Sequence, residues 1–261
     1  MFFPLIRGIV WETRKKQEKH KMSAEKKMML VLLAGQSNMA GRGEIEPEDR
    51  EEIPGLLMIN RNFEWVPAVE PVTADRPFAG VGPGRTFGRL LLEANPGCTV
   101  GLVPTAVGGT PISAWKRGGS SPWDPQERPY DQSIERATAA LQRGVFAAVL
   151  WHQGETDAKL KNRRYAEDLK EVIRNFRADL PLAGVPFLCG GLGEYLKGSQ
   201  YDFPPVDADI KTVAAELPEL GYVSVAGLTD KGDKLHFSSA SARELGRRYF
   251  AEYQRLVDRA R

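Results

Sequence analysis

Five short apolar runs limit what this chain can fold into. They lie at 28–34 (MMLVLLA), 98–104 (CTVGLVP), 145–151 (VFAAVLW), 185–191 (VPFLCGG) and 222–228 (YVSVAGL). None alternates apolar with polar residues, the pattern of strands covered on both faces. Helical patterns separate and follow them, at 84–95, 131–144, 162–180, 206–217 and 239–260. In the third of these, Tyr165, Leu169, Val172, Ile173 and Phe176 recur at three- and four-residue spacing and form one apolar stripe, and Pro181 stops the helix. Strand and helix thus alternate five times. That alternation predicts an α/β protein, a three-layer α/β/α sandwich around a five-stranded parallel sheet. Right-handed crossovers would bring the strand C-termini to one edge, where ligands of such sheets bind. The stretches 41–83 and 110–130, rich in Pro and Gly, are expected as elaborated loops beside that edge.

Composition narrows the function classes. Net charge is only +2, with both signs interspersed after residue 28, so no electrostatic footprint for nucleic acid exists. No run of eighteen apolar residues is present, and no membrane span is expected. Cys98 and Cys189 sit in apolar runs and read as buried free thiols rather than as a disulfide scaffold. Residues 1–27 begin apolar but are broken by Pro4 and Arg7, and a charged stretch follows. This reverses the order of a secretory signal. The expectation is a disordered extension over 1–27, one domain over 28–261, and a cytoplasmic location.

The chemistry centres on "LVLLAGQSNMAGRG". Ser37 follows the first strand by about two residues, on a strand-to-helix turn where a nucleophile stands clear of the sheet. The chain has three histidines, and His20 lies in the extension. Of His152 and His236, only His236 has a carboxylate three residues earlier, Asp233, which can orient an imidazole and stabilise its charged form. Ser37, His236 and Asp233 therefore form a candidate triad. The pair Gly108 and Gly109, after the second strand, can offer an oxyanion N–H, and the sequence leaves open which one does. Gln153 offers a side-chain amide, and Ser37 its own N–H. His152, Glu155 and Asp157 share a loop with Gln153 and read as its braces, not as a metal site. Gln36, Asn38, Trp115 and Glu155 are candidate substrate contacts. Trp115, Trp123 and Tyr130 suit either sugar stacking or core packing.

Four spaced blocks carry a resemblance: "GQSNMAGRG", Gly108 to Trp115, "WHQGE" with Asp157, and "DKLHFS". In order and spacing they resemble the carbohydrate esterases related to sialate O-acetylesterases and acetylxylan esterases, within the SGNH hydrolases, and most of all the plant-type members. The resemblance implies a flavodoxin-like sheet and a serine esterase of small acyl groups, most simply acetyl, on acylated carbohydrate. It implies the same roles for Ser37, Asp233, His236, the glycine pair and Gln153, and no cofactor. Two departures, Val107 before the glycine pair and the lysines Lys231 and Lys234 around Asp233, bear on substrate preference more than on chemistry. A lipid esterase or acyltransferase would need a long apolar channel, which these loops do not suggest. A binding protein without catalysis would have no use for Ser37, Asp233, His236 and Gln153 together.

Overall fold

The central strand, β1 (Met28–Gly35), shows why the apolar runs do not alternate. Leu30, Leu32 and Ala34 enter one core and Val31 and Leu33 the other, so both faces are buried. The computed structural model describes residues 28–259, and the expected extension 1–27 lies outside the described residues. After β1 come a four-residue helix α1 (Ser37–Ala40), strands β2 (Leu56–Ile59) and β3 (Trp65–Pro67), and helix α2 (Pro83–Ala94). Next are β4 (Val100–Pro104), α3 (Pro129–Ala140), β5 (Gly144–His152), α4 (Glu155–Leu160) and α5 (Tyr165–Asp179). The chain continues through β6 (Phe187–Gly190), α6 (Phe203–Glu216), β7 (Leu220–Val223) and α7 (Ser239–Arg259). Among the described residues no helix is long and apolar enough to cross a membrane.

The sheet runs β3-β2-β4-β1-β5-β6-β7, with every pairing parallel except β2–β3. The five strands expected from sequence appear in flavodoxin-like order, β4-β1-β5-β6-β7. The helices α3, α5 and α6 cover one face through Ala137, Phe176 and Ile210, while α2 and α7 cover the other through Phe87 and Tyr249. Phe87 meets Phe250 edge-on at 5.9 Å and thereby joins α2 to α7. Each such fully buried side chain contributes about 1.5–3 kcal/mol.

Two expectations need correction. The sheet has seven strands, because the segment 41–83 contains the β2–β3 hairpin as well as loop. "LLMI" is too short a run to stand out among Pro, Gly and Glu, and three-residue β3 carries no pattern. The last strand spans 220–223 rather than 222–228, since its only partner, β6, ends at Gly190 opposite Val223. Val225 and Leu228 are still buried, but in the loop beyond the sheet.

Within the rest of segment 41–83, Glu70 ties the 70–72 stretch to the start of α2. Its buried carboxylate accepts the Val72 N–H at 2.8 Å and the Gly82 N–H at 3.3 Å. Burial pushes the Glu70 carboxyl up to about 7, and the two amides only partly offset it. A carboxyl with its folded pKa above the unfolded one favours the folded state when protonated. The contribution of Glu70 to stability is therefore greatest below about 4.5 and declines as pH rises through about 7. Glu70→Gln is uncharged throughout. Urea midpoints should show the wild type losing ground to this variant between those limits, by at most about 3 kcal/mol. A wild type that gains on the variant as pH rises would mean that the amides outweigh burial.

Candidate active site

The turn that holds Ser37 begins with a close approach of two strands. Gly35 has φ +126°, and a Cβ there would lie 2.1 Å from the His152 carbonyl oxygen. Glycine thus lets β1 exit against β5, and the Gln36 N–H donates to that same carbonyl at 2.8 Å. The chain turns at once into α1, whose first residue is Ser37. The Gln36 carbonyl accepts the N–H groups of Met39 and Ala40. The Ser37 N–H has no acceptor among the described residues. Only 5% of Ser37 is exposed, and its Oγ lies 3.1 Å from His236 Nε2.

His236 comes from the loop between β7 and α7. Asp230 shapes that loop by accepting the N–H groups of Gly232 and Lys234. Asp233 then folds back on its own chain. Its Oδ1 accepts the amides of Leu235 at 3.0 Å and His236 at 2.8 Å, and its Oδ2 lies 2.7 Å from His236 Nδ1. Burial acts to raise the Asp233 carboxyl, but the His236 amide, the imidazole and the Leu235 amide outweigh it and hold it below the usual range. A carboxylate fixed there keeps the proton on Nδ1 and turns Nε2 toward Ser37. The sequence-derived trio thus lies on one line of hydrogen bonds drawn from opposite ends of the chain.

Three residues read from sequence as substrate contacts turn out to be braces. Asn38 is buried, and its Nδ2 donates to the Leu235 carbonyl at 3.1 Å while its Oδ1 accepts the Phe237 N–H at 3.1 Å. These are the two neighbours of His236, so Asn38 grips that histidine from both sides. The same Nδ2 donates to Glu155 Oε1 at 2.5 Å, and Glu155 lies 3.6 Å from His152 Nε2. Burial raises the Glu155 carboxyl, yet His152 and Asn38 prevail and leave it lowered. Gln36 turns its Oε1 inward to the N–H groups of Gly154 and Thr156. Trp115 is core: its indole donates to Thr110 and its ring meets Trp151 edge-on at 5.1 Å. Tyr130 is buried as well and donates to Asp179. Only Trp123 of the three aromatics is exposed, at 71%, and its indole N–H reaches the Gly109 carbonyl at 3.3 Å.

The glycine turn resolves the choice between its two members. The Gly108 N–H is taken by Asp75 Oδ2 at 2.8 Å, and Asp75 is paired with Arg42 at 2.7 Å, both side chains 3% exposed. A Cβ on Gly108 would fall 2.3 Å from the Arg42 guanidinium. Gly109, at φ +81°, keeps its N–H without an acceptor among the described residues. Gln153 departs from expectation. It is fully buried, and its Nε2 donates to Asp157 at 2.6 Å and to the Thr110 carbonyl at 3.1 Å, while its Oε1 accepts from Tyr165. Both amide hydrogens are in use, so none is left for an oxyanion. Asp157 also accepts the Ile112 and Asn162 N–H groups, which makes Gln153 and Asp157 a joint support for the 110–112 stretch.

Sequence reasoning missed Asp75, which lies far from any block, and Arg42, which lies inside the first block but gave no sign of its partner. The Asn38 clamp is directly testable. Asn38→Ala strands the Glu155 carboxylate and two backbone groups, and should cost about 1–3 kcal/mol in urea unfolding. Adding Glu155→Gln should cost less than the sum of the single changes, because the two share one bond. Strict additivity would show that they act independently.

Known proteins resemble this chain over most of its length. Residues 27–255 match the family described as carbohydrate esterase, sialic acid-specific acetylesterase. A probable carbohydrate esterase of Arabidopsis thaliana is 29% identical over 240 residues, 83% of this chain and 86% of the relative. The crystal structure of an Arabidopsis thaliana protein superposes with a TM-score of 0.77 at 27% identity, covering 88% of this chain and 98% of that one. A carbohydrate acetylesterase from Xanthomonas citri shares the fold at TM-score 0.69 and 22% identity, over 87% of this chain and 56% of its own. With a family match over residues 27–255, the chain belongs to the carbohydrate esterase, sialic acid-specific acetylesterase family.

Proposed function

We propose that this chain hydrolyses acetyl esters of carbohydrates by two-step acyl transfer through Ser37, His236 and Asp233. The observation that carries the reading is the unbroken line Asp233 Oδ2–His236 Nδ1 at 2.7 Å and His236 Nε2–Ser37 Oγ at 3.1 Å. His236 Nε2 takes the hydroxyl proton as Ser37 Oγ attacks the ester carbonyl carbon. The imidazolium so formed is stabilised by Asp233. The N–H groups of Ser37 and Gly109 face the developing oxyanion. Nε2 then returns its proton to the sugar oxygen as that bond breaks, leaving an acetyl-serine. A water molecule, activated by the same nitrogen, releases acetate. Gln153 acts by positioning, through its bond to Thr110 beside the glycine turn.

Two features support a carbohydrate on the leaving-group side. Trp123 projects beside Gly109, and Phe78, 68% exposed, covers the Arg42 guanidinium at 5.3 Å. Exposed aromatic rings on either side of the glycine turn suit the C–H face of a sugar ring.

Turnover of 4-nitrophenyl esters tests the chemistry. His236→Ala should lower kcat about 10³-fold or more with the fold intact, whereas His152→Ala should be milder, since His152 touches Glu155 and not Ser37. Greater damage from His152→Ala would refute the triad. Acetyl should be preferred to octanoyl by at least about tenfold in kcat/KM, or roughly 1.4 kcal/mol. Equal turnover of the long chain would favour a lipid esterase.

A further inference from the structure

A second recess lies on the far side of the Asp75–Gly108 contact from the triad. It is a cavity of about 780 Å³ at the C-terminal ends of β2 and β4, closed by the β2–β3 turn and by α3. Its volume falls within the roughly 300–1,000 Å³ of small-ligand sites. The wall nearest the triad contains Asp75 and Val107, so the cavity adjoins the glycine turn directly. None of the proposed catalytic groups lines it.

Its lining has a distinct chemistry. Asn62 and Gln126 line it, both exposed and with side chains that have no hydrogen-bond partner among the described residues. Arg136 lines it too, donates to the Pro104 carbonyl at 2.8 Å and has no carboxylate within ion-pair distance among the described residues. Asp124 provides an acceptor on the opposite rim. Of the charged lining residues Asp75 and Glu127 are paired with Arg42 and Arg76, which leaves Arg61 and Arg136 against Asp124 and Glu135, so neither sign dominates.

Phe63 is the most informative residue. It sits at φ +63°, a conformation that bulky side chains rarely adopt. Asn60 holds the turn in that shape, its Oδ1 accepting the N–H groups of Asn62 and Glu64. The result is an aromatic ring on the cavity lip, 41% exposed, with the Arg136 guanidinium 6.0 Å from its centre. Backbone strain kept at the rim of a cavity, where it presents an aromatic face, points to ligand binding.

We propose that this cavity is an accessory saccharide subsite, which holds the sugar units next to the acetylated one on an extended, neutral glycan. The Phe63 ring takes a sugar face, and Asn62, Gln126, Asp124 and Arg136 exchange hydrogen bonds with hydroxyls. The proposal rests on the esterase reading in so far as the glycan is the substrate. It makes the preferred substrate an oligosaccharide, not an acetylated monosaccharide.

The test uses β-1,4-linked tetrasaccharides of xylose, mannose, glucose and N-acetylglucosamine, acetylated and deacetylated, with the matching acetylated monosaccharides and 4-nitrophenyl acetate. Wild-type kcat/KM should be about tenfold or more higher for at least one acetylated tetrasaccharide than for its monosaccharide. Phe63→Gly relieves the backbone strain while removing the ring, so its thermal midpoint should hold or rise. That variant, and separately the pair Asn62→Ala with Gln126→Ala, should lose most of the tetrasaccharide advantage through KM. Activity on 4-nitrophenyl acetate should stay within about twofold. A wild type with no tetrasaccharide advantage in any of the four series, or variants that affect all substrates alike, would overturn the subsite. If no ester is hydrolysed at all, the esterase reading fails separately. Calorimetric titration with the deacetylated tetrasaccharides then decides the cavity: heat lost in Phe63→Gly supports it, and no heat with any of the four refutes it.

Discussion

The side chain of Asn38 is the joint on which the site depends. One buried amide binds the backbone on both sides of His236 and the carboxylate of Glu155. It thereby sets the nucleophile turn after β1, the loop after β7 and the start of α4 after β5 in mutual register. A base must stand within hydrogen-bond reach of its nucleophile, and errors of about 1 Å cost rates on the order of 10². Because Asn38 is adjacent to Ser37, the group that positions the base moves with the nucleophile. The cost of leaving any member of this buried network unpaired keeps the arrangement single-valued.

The glycine turn is held in the same indirect way. On one side the Arg42–Asp75 pair takes the Gly108 N–H, and on the other Gln153 holds the Thr110 carbonyl. Between these fixed neighbours the Gly109 N–H is left without an acceptor among the described residues. A buried ion pair adds little net stability, since desolvation consumes much of the attraction. What Arg42 and Asp75 supply here is direction: they occupy one donor so that the next is free. Gln153 does the same from the interior, and this is why a residue that looked like an oxyanion donor in sequence is a support in space.

The five central strands, the helices that cover them and the trio Ser37, Asp233 and His236 were legible in the sequence, because each leaves a local trace. Unbroken apolar runs mark two-faced burial, and a carboxylate three residues before a histidine marks a possible pair. The β2–β3 hairpin left no such trace, being seven residues of strand spread over Pro- and Gly-rich chain. Asp75 was invisible because its role arises from folding a loop back on the turn 33 residues later. Arg42, though within the first block, takes its role from pairing with Asp75. Gln153, Gln36 and Asn38 were recognised as belonging to the site but expected to face a ligand. Glu155 was read both as a brace and as a substrate contact, and only the bracing appears. Residue type and block membership say that an amide is near the chemistry. They do not say whether it points out toward a ligand or in toward the backbone, and only the hydrogen-bond partners decide that.

Sheet order explains why so much bracing is gathered around His236. Ser37, the glycine turn and Gln153 follow β1, β4 and β5, which are immediate neighbours, so their convergence needs only the parallel sheet. The base follows β7, three strands from β1, and neighbouring strands lie about 4.8 Å apart, a span of about 14 Å. Its loop must cross that distance and still place one nitrogen to within tenths of an ångström. The devices found there each remove a freedom that the span would otherwise leave. Asp230 shapes the loop, Asp233 fixes the imidazole to its own backbone, and Asn38 grips the two residues on either side. Further back, α7 is locked to α2 by Phe87 and Phe250, which anchors the far end of the loop. A trio drawn from the centre and one edge of a parallel sheet is thus geometrically demanding at its last member, and the chain gathers polar contacts there.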